Sequence, residues 1–342
     1  MPTLRYIKGF SDSKRLKSVP LGLGTIVGAG LGTKFNYSPI TEQQNPPSPL
    51  INEQQNLPHL SKTNPIMSQL QHRWVVNAAE AKGLIEQNAA TVLDVRQPIS
   101  WFFSHVPSAV WLGWWQFLEQ LLPPNGKLLK DSKILEEKLR RLGICNRKPV
   151  IVIGNPPNNF GEEGRVVWML RTLGHPQAAF VNGGQAALVS VGVPTVWGVT
   201  RPAPGDFVVK PTPLWTIQRH QLQDNLTTQA YLVIDSRSPE EFAGATPYCE
   251  KRGGHIPGAV HFHFRDLMDK KGYLLPPEEI MTQLYQRGCD HETPIATYCT
   301  GGVRSAFIVA VLTELGYTCV KNYPGSMWEW SSHPAKTHPL NK

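Results

Sequence analysis

Three observations predict an α/β chain of two similar halves, each a parallel sheet flanked by helices. Short β-branched runs alternate with helical patterns, which is the signature of strand-helix-strand units. A set of landmarks then recurs in the same order further along the chain. Between the two sets lies a stretch carrying Pro194, Pro202, Pro204, Pro211 and Pro213, too many for regular structure.

Residues 1–71 are rich in Pro, Asn, Gln, Ser and Gly without sustained periodicity, so they are expected to be a disordered leader. Within it, residues 19–32 are apolar and follow a basic stretch, the order of a signal peptide, but too short to span a bilayer. A targeting segment, a plain leader and a chain starting at Met67 are the three readings. The first half is expected over residues 72–200. Trp74-Val75-Val76 reads as a strand, residues 78–87 as a helix and residues 90–96 as a strand ending in charge. His105, an aromatic cluster (Trp111, Trp114, Trp115, Phe117), a charged helix over 131–142 and a strand over 149–153 follow. A loop after Asn155 leads to a helix over 165–173 stopped by Gly174, then a strand over 178–181 and the turn Asn182-Gly183-Gly184.

Residues 201–215 are predicted to be an interdomain linker, stiffened by proline. The pattern restarts over 216–335. Residues 231–237 match 92–96, residues 254–260 match 104–110, residues 312–316 match 170–174, and residues 322–325 match the Asn182 turn. This alignment sets Asn155 opposite Cys299, so the first half has no equivalent thiol and is expected to be non-catalytic.

The chemistry concentrates at Cys299. The strand Ile295–Tyr298 runs straight into it, four loop residues follow (Thr300, Gly301, Gly302, Val303), and Arg304 opens an apolar helix. The first N–H groups of a helix have no internal partner and carry partial positive charge, so a thiolate is favoured there. The two glycines let successive N–H groups converge into an anion nest. Helix starts and nearby cations can bring a cysteine pKa from about 8.5 into the range of roughly 3.5 to 7.5. Cys299 is thus the expected nucleophile, and the loop residues 300–303 its nest. Asp235 and Arg237, at the end of another strand, read either as a support and a donor-anion ligand or as a structural ion pair under the loop. His105 and His255 recur in both halves, including the one without a counterpart of Cys299, which points to a turn-stabilising role. Cys249 lies in an insertion that the first half lacks.

These motifs, namely residues 92–96 and 233–237, Gly254-His255-Ile256-Pro257-Gly258-Ala259, Cys299-Thr-Gly-Gly-Val-Arg304-Ser305 and residues 323–330, resemble the rhodanese family. The resemblance covers roughly residues 72–335 and is to tandem-domain sulfurtransferases of the thiosulfate and 3-mercaptopyruvate type. It implies two rhodanese-like domains and a thiolate that takes sulfur from a small anionic donor, becomes a persulfide, and passes the sulfur to cyanide or a thiol, a protein thiol included. Arg304 and Arg237 are the expected substrate-binding residues. The spacing Cys-x4-Arg is one residue shorter than the Cys-x5-Arg of related phosphatases. The loop also departs from the Cys-Arg-Lys-Gly and Cys-Gly-Ser-Gly patterns of the two donor classes, and Glu241 stands where tandem members carry an Arg. The alternative reading is a sulfur-carrier or regulatory binding module on the same fold.

Composition bounds the rest. With 342 residues and 41% hydrophobic content the chain can bury two cores. Its net charge of +8 lies partly in the first seventy residues, and no Lys/Arg run forms a nucleic-acid patch, so no nucleic-acid partner is expected. The five cysteines show neither a Cys-x-x-Cys pair nor zinc spacing, so no metal, no cofactor and a reducing, cytoplasmic compartment are expected.

Overall fold

The computed structural model describes Leu70 and residues 72–342; the expectations for residues 1–69 lie outside the described residues. The first repeat runs β1 (Val75–Val76), α1 (Ala78–Glu86), β2 (Thr91–Asp94), α2 (Pro98–Phe103), β3 (Val110–Trp111), α3 (Ser132–Arg141), β4 (Val150–Ile153), α4 (Glu162–Thr172), β5 (Ala178–Val181) and α5 (Gly184–Ser190). Local chemistry sets the boundaries. Asn77 caps α1 by accepting from the Glu80 N–H, and the Glu80 carboxylate returns to the Asn77 N–H. Asp131 caps α3 by accepting from the Lys133 and Ile134 N–H groups. The strands form a parallel sheet in the order β1-β5-β4-β2-β3. β4, Val-Ile-Val-Ile, is buried throughout, as a strand covered by helices on both faces must be.

The second repeat runs α6 (Arg219–Thr228), β6 (Leu232–Asp235), α7 (Pro239–Phe242), β7 (Val260–His261), α8 (Pro277–Tyr285), β8 (Ile295–Tyr298), α9 (Arg304–Glu314), β9 (Val320–Asn322) and α10 (Ser326–Trp330). Its parallel sheet has the order β7-β6-β8-β9. A parallel bridge from Thr216 to Asn322 continues it past β9, in the place β1 takes beside β5. The two sheets therefore share one strand order, as a duplication requires.

α4 and α9 are buried on nearly every side because they pack against each other between the two sheets. Their approach is closer than a side chain allows: a Cβ on Gly164 would stand 2.5 Å from the Phe307 Cα. One apolar core runs through both repeats, with Val152, Trp168 and Phe180 from the first and Ile234, Phe264, Phe307 and Leu312 from the second. Trp74 and Trp215, which precede β1 and the Thr216 bridge, meet edge to face at 5.1 Å.

Three features differ from the sequence expectation. α4 begins at Glu162 rather than residue 165, with the Glu162 carboxylate accepting from the Phe160 N–H just ahead of the helix. Residues 201–215 contain no helix or strand, yet they are stitched to the first repeat rather than spanning open space. The Lys210 and Thr212 N–H groups donate to the Leu173 and Thr172 carbonyls, and Phe207 is buried. Beyond residue 335, Asn341 pairs antiparallel with His255, so the chain end closes onto the second repeat. Among the described residues no helix is long and apolar enough to cross a membrane.

Candidate active site

β8 delivers Cys299 to the carboxyl end of the second sheet, and α9 starts five residues later. The thiol is 1% exposed. The Gly302 N–H donates to Sγ at 3.1 Å, and the Ser305 hydroxyl lies 3.5 Å from Sγ and 2.7 Å from the Asn322 Oδ1. Burial alone would raise this thiol; the Arg304 charge and the N–H groups of Ser305 and Gly301 outweigh it and bring the pKa below the ordinary thiol value. The converging donors thus come from Gly301, Gly302 and Ser305, the last lying two residues beyond the expected nest.

The loop holds this shape because the chain behind it is locked. Gly302 has φ of +77°, which a side chain would strain, and a Cβ there would also meet Pro324 at 2.7 Å. Gly301 lies under the Trp328 ring. The Met327 and Trp328 N–H groups donate to the Cys299 and Thr300 carbonyls, and the Cys299 N–H donates to the Ser326 hydroxyl at 3.1 Å. Residues 323–330, singled out in the sequence only as part of a motif, act as the clamp.

Both guanidinium groups expected to bind substrate are buried and engage a carboxylate of the fold. Arg304 is 4% exposed and forks onto Glu241, with Nη1 to Oε2 at 2.5 Å and Nη2 to Oε1 at 2.8 Å. The pair raises the arginine pKa and, against burial, lowers that of Glu241. Arg237 is fully buried and forks onto Asp235, with its Nη2 also donating to the Gly254 carbonyl. The physical reason is the acid beside each arginine. Asp235 is legible from its place two residues before Arg237, whereas Glu241 reaches Arg304 only through the fold.

Thr300 turns its hydroxyl away from the sulfur, toward Glu241 (3.0 Å), Glu250 (3.1 Å) and the Arg304 Nη2 (2.7 Å). Glu250 belongs to the insertion that the first repeat lacks, and Cys249 beside it is exposed. Tyr248 and Phe160 face the Arg304 guanidinium at 5.6 and 5.7 Å, so the first repeat reaches the site. Arg165 does too, through the Gly302 carbonyl at 3.1 Å. His255 stacks on Phe242 and bonds its carbonyl, and His105 bonds the Trp101 carbonyl, both at helix ends. No group of three or more His, Cys, Asp or Glu side chains is placed to hold a metal among the described residues.

The sequence profile of the Rhodanese-like domain matches residues 77–190 and again residues 218–333. The chain belongs to this family. Among its relatives is the thiosulfate sulfurtransferase of Azotobacter vinelandii, 28% identical over 265 residues, covering 76% of this chain and 94% of the relative. Human 3-mercaptopyruvate sulfurtransferase is 27% identical over 230 residues, covering 66% of this chain and 76% of the relative. The crystal structure of SseA from Escherichia coli superposes with a TM-score of 0.63 at 23% identity, over 74% of this chain and 98% of that one. Tum1 from Saccharomyces cerevisiae gives 0.66 at 17% identity, over 78% and 96%. At these identities the structural likeness establishes the fold, two rhodanese-like repeats in tandem. Sequence reasoning reached that fold but missed Arg165, Glu250, Ser305, Ser326 and Asn322 at the site. Ser305 had a usable signal, sitting in the first turn of α9; Arg165 and Glu250 had none in the linear chain.

Proposed function

We propose that this chain is a sulfurtransferase that moves a sulfane sulfur from thiosulfate or 3-mercaptopyruvate to a thiol or cyanide through a persulfide on Cys299. The donors are those its relatives are named for. The observation that carries the assignment is the seat of Sγ, a buried thiol at a strand end with the Gly302 N–H at 3.1 Å and a lowered pKa.

In the first half-reaction the Cys299 thiolate attacks the outer sulfur of the donor. A new S–S bond forms, the donor's S–S or C–S bond breaks, and its electron pair leaves with sulfite or with the pyruvate enolate, which then takes a proton. In the second, cyanide or a thiolate attacks the outer persulfide sulfur and the Cys299 thiolate leaves. The N–H groups of Gly301, Gly302 and Ser305 stabilise the anion at Cys299 in both halves. Arg304 lends this seat its charge and, clamped by Glu241, fixes Thr300; Arg237 and Asp235 support the strand end. The acceptor is a small thiol, a protein thiol or cyanide in a reducing compartment such as the cytoplasm, with no nucleic acid involved.

Cys299→Ser should abolish transfer from both donors and leave the melting temperature within about 2 °C of the wild type. Wild-type transfer by that variant would sink the assignment. A second reading, a sulfur carrier or regulatory module, is favoured by one observation: Glu241 cancels the arginine that would attract an anionic donor. Under it Cys299 loads once but does not turn over.

A further inference from the structure

The guanidinium of Arg165 lies in the wall of the Cys299 loop, although it belongs to the repeat that has no counterpart of Cys299. It is 1% exposed. Its Nη1 donates to the Gly302 carbonyl at 3.1 Å and its Nη2 to the Gly126 carbonyl at 2.7 Å. Its Cζ stands 4.5 Å from the Trp168 ring centre and 5.9 Å from that of Trp114. Those contacts satisfy hydrogen bonds and stacking, but none of them carries negative charge.

A buried charge is costly unless it is paired. Arg237 and Arg304 each have a carboxylate at hydrogen-bond distance, whereas no carboxylate forms an ion pair with Arg165 among the described residues. Burial accordingly pulls the Arg165 pKa down to about 9, and the one charge that acts to raise it is Cys299. The geometry runs the same way. The carbonyl that Arg165 holds belongs to Gly302, whose own N–H faces Sγ, and the Asn322 amide donates to that carbonyl as well at 3.2 Å. Arg304 also acts on the thiolate, but its own charge is matched by the Glu241 carboxylate at hydrogen-bond distance.

We infer that Arg165 is a positioning residue for Cys299, its guanidinium acting from the first repeat as the unpaired countercharge of the thiolate and of the persulfide, and as the pin of the Gly302 peptide. The non-catalytic repeat thereby becomes part of the sulfur site. This rests on the nucleophile reading of Cys299.

The test measures how fast iodoacetamide, a small neutral reagent, alkylates Cys299 across pH 5 to 10, with each cysteine followed separately by peptide mass spectrometry. No sulfur donor is needed. Arg165→Met removes the charge and keeps the stacked alkyl chain, Arg165→Gln keeps a donor for the Gly302 carbonyl without charge, and Arg165→Lys keeps the charge without the fork. The expected result is an alkylation midpoint raised by about one pH unit in the Met and Gln variants, so that alkylation at a pH below both midpoints slows about tenfold, and by less in the Lys variant. Should the Met variant fail to fold, the Gln and Lys pair decides, because they differ in charge and both retain a donor. Equal midpoints in wild type, Gln and Lys would overturn the countercharge role and leave Cys299 as the nucleophile. A wild-type midpoint at the ordinary thiol value of about 8.5 would instead overturn the nucleophile reading and the Arg165 role with it.

Discussion

Two buried acids shape what single residues do near the sulfur site. Glu241 holds the Arg304 fork, and truncating one partner of a buried ion pair leaves the other charge uncompensated. Glu241→Gln should therefore cost about 3 kcal/mol of stability and free a positive field at the loop. Its kcat/KM for thiosulfate, relative to that for an uncharged persulfide donor, should rise several-fold. An unchanged ratio would show that Arg304 is out of reach of the donor. Glu163, at the start of α4 in the first repeat, is 1% exposed, with its Oε1 unpartnered. Burial, with Glu162 beside it, raises its pKa from 4.5 to about 8. The folded chain then keeps a proton that the unfolded chain releases above pH 4.5, so the contribution is full below that pH and falls as pH rises toward 8. Glu163→Gln should match the wild-type melting temperature near pH 4.5 and exceed it by several degrees near pH 8; parallel curves would contradict the burial account.

The α4 and α9 contact is the element on which the site's rigidity depends. A Cβ at Gly164 would press on the Phe307 backbone at 2.5 Å, while Gly83 in α1 has nothing within 4 Å. Gly164→Ala should lower the melting temperature and slow sulfur transfer, because α9 begins at the Cys299 loop. Gly83→Ala should stabilise by about 1 kcal/mol, the helix-propensity difference between the two residues. If both substitutions stabilise, the close crossing is not there. Most elements were legible: β2, β4, β6 and β8 are short apolar or β-branched runs, and α9 is apolar and bounded by Arg304 and Gly316. α6 was not, because Arg-His-Gln-Leu-Gln-Asp-Asn-Leu-Thr-Thr shows only two apolar residues to mark a face. The Thr216 bridge was not legible, because it is a single residue directly after the stretch that proline content assigned to a linker. At the site, the sequence placed Cys299 and its loop from strand, glycines and helix start. It could not place Arg165, which reaches the loop only because the two repeats fold back to back.

At the scale of the molecule, the repeats share one apolar core, and the Glu314 carboxylate of the second accepts the Trp74 and Val75 N–H groups of the first. Neither half keeps that core when alone. The described repeats should unfold in one cooperative transition, with tryptophan fluorescence and far-ultraviolet circular dichroism superimposing; two resolved steps would mean that the repeats are independent. The duplication itself was readable from four landmarks in one order, while the mutual burial was not, since an all-round apolar helix such as α9 marks burial without naming α4 as the element that covers it. The central claim is that sulfur resides on Cys299 between donor and acceptor. Its most direct test is peptide mapping after brief exposure to thiosulfate or 3-mercaptopyruvate, with trapping of persulfides by a neutral alkylating agent. The account predicts one added sulfur on the Cys299 peptide, absent when cyanide or a thiol is added before trapping, with no added sulfur on the Cys145, Cys249, Cys289 and Cys319 peptides. Sulfur found on Cys249 with Cys299 unmodified, or no enzyme-bound sulfur during active transfer, would contradict it.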